Sequence, residues 1–463
     1  MNLQAVTYVY FLGAGGIGMS ALGRYFLRRG IAVGGYDKTA TSLTSELIAE
    51  GMNIGFVDSV QKLPSELTSI ADKSQVLVIY TPAIPANSEQ LNYFRSQGYS
   101  LIKRAEVLGL ISRNHKTLAV AGTHGKTTTS TLIAHLLEQG GMHPVAFLGG
   151  ISVNYNSNYL PGTTSSILVA EADEYDRSFL HLHPHTAVIT STDADHLDIY
   201  GKKDALVQSF CDFADQVDTA GNLILKAGLD LPQRLYDRAI TYHTELPADV
   251  RLENCVAEGD KYRFDVRIQG HLLSGLTLGL PGFHNVENAL AAIASVYLNG
   301  LSEASIRAGL ESFRGVKRRF EYILRENDFV FIDDYAHHPE ELRACITSVK
   351  RIYPGRHLMG VFQPHLFTRT RDFLDGFAES LSLLDEVILL DIYPARELPI
   401  EGVNSAVLLD KITSAKKSLL SKDELAAYIA SHKPEVLLTL GAGDIDMLVE
   451  PIRQRLTQTP VLP

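Results

Sequence analysis

The run Gly122-Thr-His-Gly-Lys-Thr-Thr128 gathers the groups that hold a nucleotide phosphate. Gly122 and Gly125 let backbone N–H groups approach an anion, with Thr123, His124 and Thr128 completing the loop. Lys126 adds a point positive charge, and the Thr127 hydroxyl is an oxygen ligand suited to Mg²⁺. The apolar strand Leu118-Ala-Val-Ala121 precedes the loop. The segment after it places Leu132, Ile133, Leu136 and Leu137 at i, i+1, i+4, i+5, one face of a helix. Strand, glycine turn and helix N-terminus together make an anion site. The common pattern G-x-x-x-x-G-K-[ST] puts a glycine at position 120, where this chain has Val, so the loop is a tighter variant. It is expected at the surface, so that loss of Lys126 leaves the fold intact.

Polar clusters follow other apolar strands. Ile167 to Ala170 leads into Glu171-Ala-Asp-Glu-Tyr-Asp176, and Ala187 to Thr190 leads into Asp193-Ala-Asp-His196. Strands apolar throughout are expected in a buried parallel sheet, and ligands bind beyond their carboxyl ends. Thr127 with Glu171 suits the Mg²⁺ that accompanies ATP. His196 could share a second Mg²⁺ or Mn²⁺ with Glu171, or serve as a hydrogen-bonding or capping residue. His284-Asn285-Val-Glu-Asn288 opens the alanine-rich helix Ala289 to Leu298, and its asparagines either read an adenine edge or cap that helix. Arg318-Arg319-Phe-Glu321, Asp333-Asp334-Tyr-Ala-His337-His338-Pro, and Phe362-Gln-Pro-His365 with Thr368 to Arg371 crowd polar groups beside apolar strands, as an active-site rim does.

Three nucleotide-style α/β units position these residues. The first begins with Val6 to Leu12, then Gly13-Ala14-Gly15-Gly16-Ile17-Gly18, a helix, and Ile31 to Tyr36 ending at Asp37. Alone this is the dinucleotide fingerprint of a dehydrogenase. Val76 to Tyr80 then ends in a turn at Thr81. The pattern restarts near residue 112 with the phosphate loop. The last unit has strands at Phe329 to Ile332, Leu358 to Phe362, Val387 to Asp391 and Val436 to Leu440, with Leu342, Ile346 and Val349 marking a helix between the first two. The expected division is 1–111, 112–315 and 316–463.

At 463 residues the chain is too long for one core. It is 45% hydrophobic and 21% charged, which is ordinary for a water-soluble protein. No apolar run is long enough to span a bilayer, and the N-terminal residues form no secretory signal, which predicts a cytoplasmic protein. A net charge of −11 without a basic tract argues against nucleic-acid binding. Lys317-Arg318-Arg319 and Arg369/Arg371 are local clusters for small anions. Cys211, Cys255 and Cys345 are isolated and give neither a disulfide framework nor a metal site.

In order along the whole chain, these motifs resemble the Mur ligase family of bacterial cell-wall synthesis. The resemblance implies a Rossmann-like N-terminal domain for a UDP-sugar, a central P-loop-type ATP-binding domain and a Rossmann-like C-terminal domain. It implies ATP-dependent joining of L-alanine to the carboxylate of UDP-N-acetylmuramate through an acyl phosphate, with Mg²⁺ and release of ADP and phosphate. It gives the first glycine loop, Asp37, Thr81 and Arg369 to the UDP-sugar. Gly122 to Thr128, His284, Asn285, Asn288, Arg319 and Asp334 go to ATP. Thr127, Glu171 and His196 go to metal, and His337 and His338 to the amino acid. Lys126, Glu171, His196, Arg319 and Asp334 then carry the chemistry. The alternative within the family joins a recycled tripeptide to the same UDP-sugar. Its glycine loop usually lacks the Gly-Gly-Ile-Gly-Met-Ser form found here. A nucleotide sensor without catalysis does not need Lys126, Glu171, His196 and Asp334 together, and a dehydrogenase leaves the second phosphate loop unexplained.

Overall fold

Tyr8–Leu12 is a run of five apolar residues, all buried, and can sit only in the middle of a sheet covered on both faces. In the computed structural model, which describes residues 3–162, 167–193, 197–395 and 397–457, it does so. β1 (Tyr8–Leu12), β2 (Ala32–Tyr36), β3 (Asn53–Gly55), β4 (Val76–Tyr80) and β5 (Ser100–Lys103) form a sheet of order β3-β2-β1-β4-β5. Every neighbouring pair in it is parallel, as in a dinucleotide-binding half. Helix α1 (Ile17–Arg28) leaves β1 through the glycine loop, and α2 (Ser42–Ala49) follows β2.

A second sheet comprises β6 (Lys116–Ala121), β7 (Val145–Ser152), β8 (Ser157–Pro161), β9 (Ile167–Glu171), β10 (Thr186–Ile189), β11 (Asn222–Lys226), β12 (Ile240–His243), β13 (Val250–Glu258), β14 (Lys261–Ile268) and β15 (His271–Leu278). Its order is β15-β14-β13-β12-β11-β10-β6-β9-β7-β8. β6 is central, paired in parallel with β9 and β10, so the phosphate loop and the residues directly after β9 and β10 leave the sheet at one edge. Helix α3 (Lys126–Gln139) is buried along most of its length, including Leu132, Ile133, Leu136 and Leu137. Helix α4 (Phe283–Leu298) begins earlier than its apolar stretch predicts. Strand β14 alternates buried and more exposed residues, and β13 and β15 are largely exposed, so none of the three is a continuous apolar run.

The third sheet has order β16-β17-β21-β18-β19-β20, from β16 (Glu321–Arg325), β17 (Val330–Asp334), β18 (Leu358–Phe362), β19 (Glu386–Leu389), β20 (Lys416–Leu419) and β21 (Val436–Leu440). Only β16 runs antiparallel. Helix α5 (Pro339–Ile352) starts beyond β17, with Pro at its first position where no N–H is needed. By packing, the chain forms two units. One holds residues 1–255, 264–277 and 287–313. The other holds 256–263, 278–286 and 314–463. Among the described residues no helix is long and apolar enough to cross a membrane.

Candidate active site

The phosphate loop is shaped by two glycines that cannot be replaced cheaply. Gly122 has φ +131°, and a Cβ there would run into Thr190 Oγ1. Gly125 has φ +80°, and its Cβ would lie 2.6 Å from Asn288 Oδ1. Residues after β10 hold the loop from below. Thr123 N donates to Ser191 O (3.3 Å), His124 N to Ser191 Oγ (2.7 Å), and Thr190 Oγ1 to the carbonyls of Ala121 and His124. The N–H of His124 is therefore committed to the loop's own scaffold. Helix bonding starts with Thr129 N to Gly125 O (3.0 Å), so the amides of Lys126, Thr127 and Thr128 lie in the turn that has no intrahelical acceptors. Asn288 accepts from Thr129 Oγ1 (3.4 Å).

The expectation of a surface lysine is corrected. The Lys126 side chain is 13% exposed, and its ammonium lies 2.8 Å from Glu174 Oε1, whose side chain is 0% exposed. It also donates to Gly122 O at 2.5 Å and to Thr123 O at 3.3 Å. Burial alone lowers a lysine pKa, but Glu174, Glu171 and Asp173 outweigh it and hold Lys126 above its usual value. Lys126 thus stays charged across the whole physiological range. Glu174 stood in the sequence only as one more acid in a polar cluster, and its partnership with the lysine has no local signature.

Glu171 ends β9 opposite Val120 in the register, one strand from the loop. Its carboxylate packs on β7 at Gly149, where a Cβ would collide with it. Thr127, nearly buried at the start of α3, and Glu171 are hard oxygen donors around an anion-binding turn, which fits a Mg²⁺ shared with nucleotide phosphates. Among the described residues no three His, Cys, Asp or Glu side chains form a metal cage of their own. A phosphate-bound Mg²⁺ that keeps its waters does not require one. His196 lies outside the described residues.

In the first glycine loop, Asp37 Oδ2 accepts from Gly15 N (2.7 Å) and Oδ1 from Thr39 N (3.0 Å). The acid of the fingerprint is tied to the loop itself. Thr81 touches the same loop, 2.7 Å from where a Gly13 Cβ would sit. Arg104, outside the motifs singled out above, lies against Gly18 and pairs with Asp173 (3.3 Å). Its signal in the sequence is the basic pair Lys103-Arg104 where β5 ends.

The second unit gathers His284, Arg319, Asp334, His337 and, unanticipated, Glu341. Arg319 Nη1 is 3.8 Å from Glu341 Oε1 and lies over the Tyr335 ring. His337 N donates to Glu341 Oε2 (3.0 Å), with Nδ1 3.2 Å from the same oxygen. Asp334 accepts from Phe320 N and Ala336 N, both at 2.7 Å. Burial raises its carboxyl to about 6 despite Arg319 and those two bonds. Burial and the Arg319 charge push the His284 imidazole down to about 4, so it is neutral at pH 7. Asn285 lies inside α4, its N–H closing a turn on Gly282 O (2.9 Å) and Nδ2 donating to Pro281 O (2.6 Å). His338 is nearly buried and packs edge-on to Phe373. Arg369 Nη1 lies 3.4 Å from His365 Nδ1, whose ring stacks on Tyr393.

Known proteins share this architecture over the whole chain. Family models match in order: Mur ligase family, catalytic domain at 8–116; Mur ligase middle domain at 120–296; and Mur ligase, glutamate ligase domain at 318–443. A UDP-N-acetylmuramate--L-alanine ligase of Porphyromonas gingivalis is 50% identical, covering 97% of this chain and 98% of that protein. One of Flavobacterium johnsoniae is 48% identical over 99% of this chain and 100% of its own. The UDP-N-acetylmuramate-alanine ligase structure from Thermotoga maritima superposes with TM-score 0.83 at 29% identity, covering 97% of this chain and 98% of that one. A murein peptide ligase from Psychrobacter arcticus shares the fold at TM-score 0.70 and 23% identity, over 98% of this chain and 100% of its own. With three domain matches in order and half its residues shared end to end with full-length relatives, this chain belongs to the Mur ligase family.

Proposed function

We propose that the chain joins L-alanine to the carboxylate of UDP-N-acetylmuramate in the cytoplasm, at the expense of ATP, as a step of peptidoglycan synthesis. The observation that carries this reading is the end-to-end identity of about half with proteins named for that reaction. The Thermotoga alanine ligase also superposes better than the murein peptide ligase, which favours alanine over a tripeptide. The domains are assigned to 1–111, 112–315 and 316–463.

A carboxylate is a poor electrophile, so its activation as an acyl phosphate is the step the site must serve. The amides opening α3 and the Lys126 ammonium are placed to take up charge on the transferring phosphoryl oxygens. Thr127 and Glu171, with His196, would hold a Mg²⁺ that neutralises phosphate charge when bound. Gly122 to Thr128, His284, Asn285, Asn288, Arg319 and Asp334 are assigned to ATP. Gly13 to Gly18, Asp37, Thr81 and Arg369 are assigned to the UDP-sugar. His337, held by Glu341, and His338, packed edge-on to Phe373, are assigned to L-alanine. The amine then attacks the acyl phosphate, and the tetrahedral oxyanion collapses to the amide with loss of phosphate.

The test is ADP release with UDP-N-acetylmuramate, comparing L-alanine with the tripeptide. Turnover should need L-alanine. Turnover with the tripeptide alone would move the chain to the recycling branch.

A further inference from the structure

Asn158 is fully buried on the β7–β8 hairpin, in the polar stretch Ser152-Val-Asn-Tyr-Asn-Ser-Asn158 that reads as loop. Its amide faces α1. Nδ2 donates to Ile17 O at 2.6 Å and to Ser20 Oγ at 2.9 Å, while Oδ1 accepts from Arg24 Nη1 at 2.5 Å. Ile17, Ser20 and Arg24 stand at i, i+3 and i+7, a single stripe of the helix. Arg24 is held from its other side by α2, with Nε 2.9 Å from Glu50 Oε2 and Nη2 2.7 Å from Glu50 Oε1. Both ends of the Asn158 amide are therefore used, in a geometry that aspartate, leucine or alanine cannot reproduce.

Two features make this more than packing. Ile17 opens α1 directly after Gly16, so the carbonyl that Asn158 grips belongs to the turn assigned to the UDP diphosphate. The same hairpin reaches Glu171, the carboxylate assigned to metal, through Gly149 in β7. One hairpin touches the turn assigned to one substrate and the acid assigned to the phosphates of the other.

We propose that Asn158 is a positioning residue that sets the UDP-sugar-binding turn at a fixed place relative to the ATP phosphate loop, so that the substrate carboxylate arrives in line with the transferring phosphoryl group. The inference rests on the ligase reading above. A misplacement on the order of 1 Å in such a pair costs about 10²-fold in rate, while each ligand still finds its own half-site intact.

The test compares wild type, Asn158→Ala and Asn158→Asp. Aspartate keeps an acceptor for Arg24 but cannot donate to Ile17 O, so it decides the matter even if the alanine variant fails to fold. For each folded variant, kcat is measured at saturating substrates below the melting temperature. Binding of UDP-N-acetylmuramate and of ATP is measured separately by calorimetry. The expected result is a fall in kcat of at least about 10-fold with each separate affinity within about 3-fold of wild type. A merely structural residue lowers the melting temperature and leaves kcat unchanged. Wild-type kcat in the aspartate variant would overturn the proposal, as would a loss confined to UDP-N-acetylmuramate affinity. An inactive wild type would instead strike down the ligase reading and this inference with it, so the two failures are told apart.

Discussion

Lys126→Ala should damage the fold as well as the chemistry. The ammonium sits 2.8 Å from a Glu174 carboxylate whose side chain has no exposure to solvent. Removing one partner of a buried ion pair leaves the other charge without compensation, at a cost of about 3–5 kcal/mol. Glu171 and Asp173 also act on Lys126, so deleting the cation releases repulsion among three carboxylates. The variant should melt at least about 5 °C below wild type. Adding Glu174→Gln removes the stranded charge, and the double variant should recover at least about 2 kcal/mol of the loss. Turnover in both should fall by at least about 10²-fold, because neither restores the positive group over the phosphates. Thermal unfolding and ADP release on the same preparations give the answer. A single variant that melts with wild type, or a double variant no more stable than the single, would refute the buried-pair reasoning. Near-wild-type turnover in either would remove this loop from the chemistry.

Gly149→Ala should push the Glu171 carboxylate from its seat and, like Glu171→Gln, raise the Mg²⁺ concentration needed for half-maximal turnover, as should His196→Ala. Unchanged Mg²⁺ dependence in all three would undo the metal assignment. Asp334 has a folded pKa of about 6 against an ordinary 3.8, so its protonated form is favoured in the fold. Stability from this group is therefore greatest at low pH and declines as pH rises between about 4 and 6. Chemical denaturation should show wild type losing up to about 3 kcal/mol relative to Asp334→Asn across that window, with a constant difference above pH 7. Gly122→Ala, forced into a φ of +131° against Thr190, should abolish measurable ATP binding by calorimetry.

The residues of the phosphate loop were legible because strand, glycines and helix are contiguous and each follows a local rule. The apolar runs that became β1, β4, β6, β9, β10, β17, β18 and β21 were readable for the same reason: a strand buried on both faces needs no partner to declare itself. Strands β13 to β15 and the hairpin carrying Asn158 have no such local signature. Their burial is decided by what packs on one face, and for Asn158 that is a helix more than a hundred residues away in sequence. Glu174 and Glu341 were invisible as partners, since an acid among acids shows nothing of which cation it meets after folding. Asp37 was placed correctly at the end of β2, yet its hydrogen bond to Gly15 N depends on the close approach of the loop and not on spacing.

The central claim is that the substrate carboxylate is activated by the terminal phosphate of ATP and then captured by L-alanine. UDP-N-acetylmuramate labelled with ¹⁸O in both carboxylate oxygens, turned over to completion with ATP and L-alanine, tests it most directly by mass spectrometry. The expected products are ADP as the nucleotide, one labelled oxygen in inorganic phosphate, and one retained in the new amide. Label in AMP, or unlabelled phosphate alongside labelled water, would contradict it and reopen the roles of Lys126, Thr127 and Glu171.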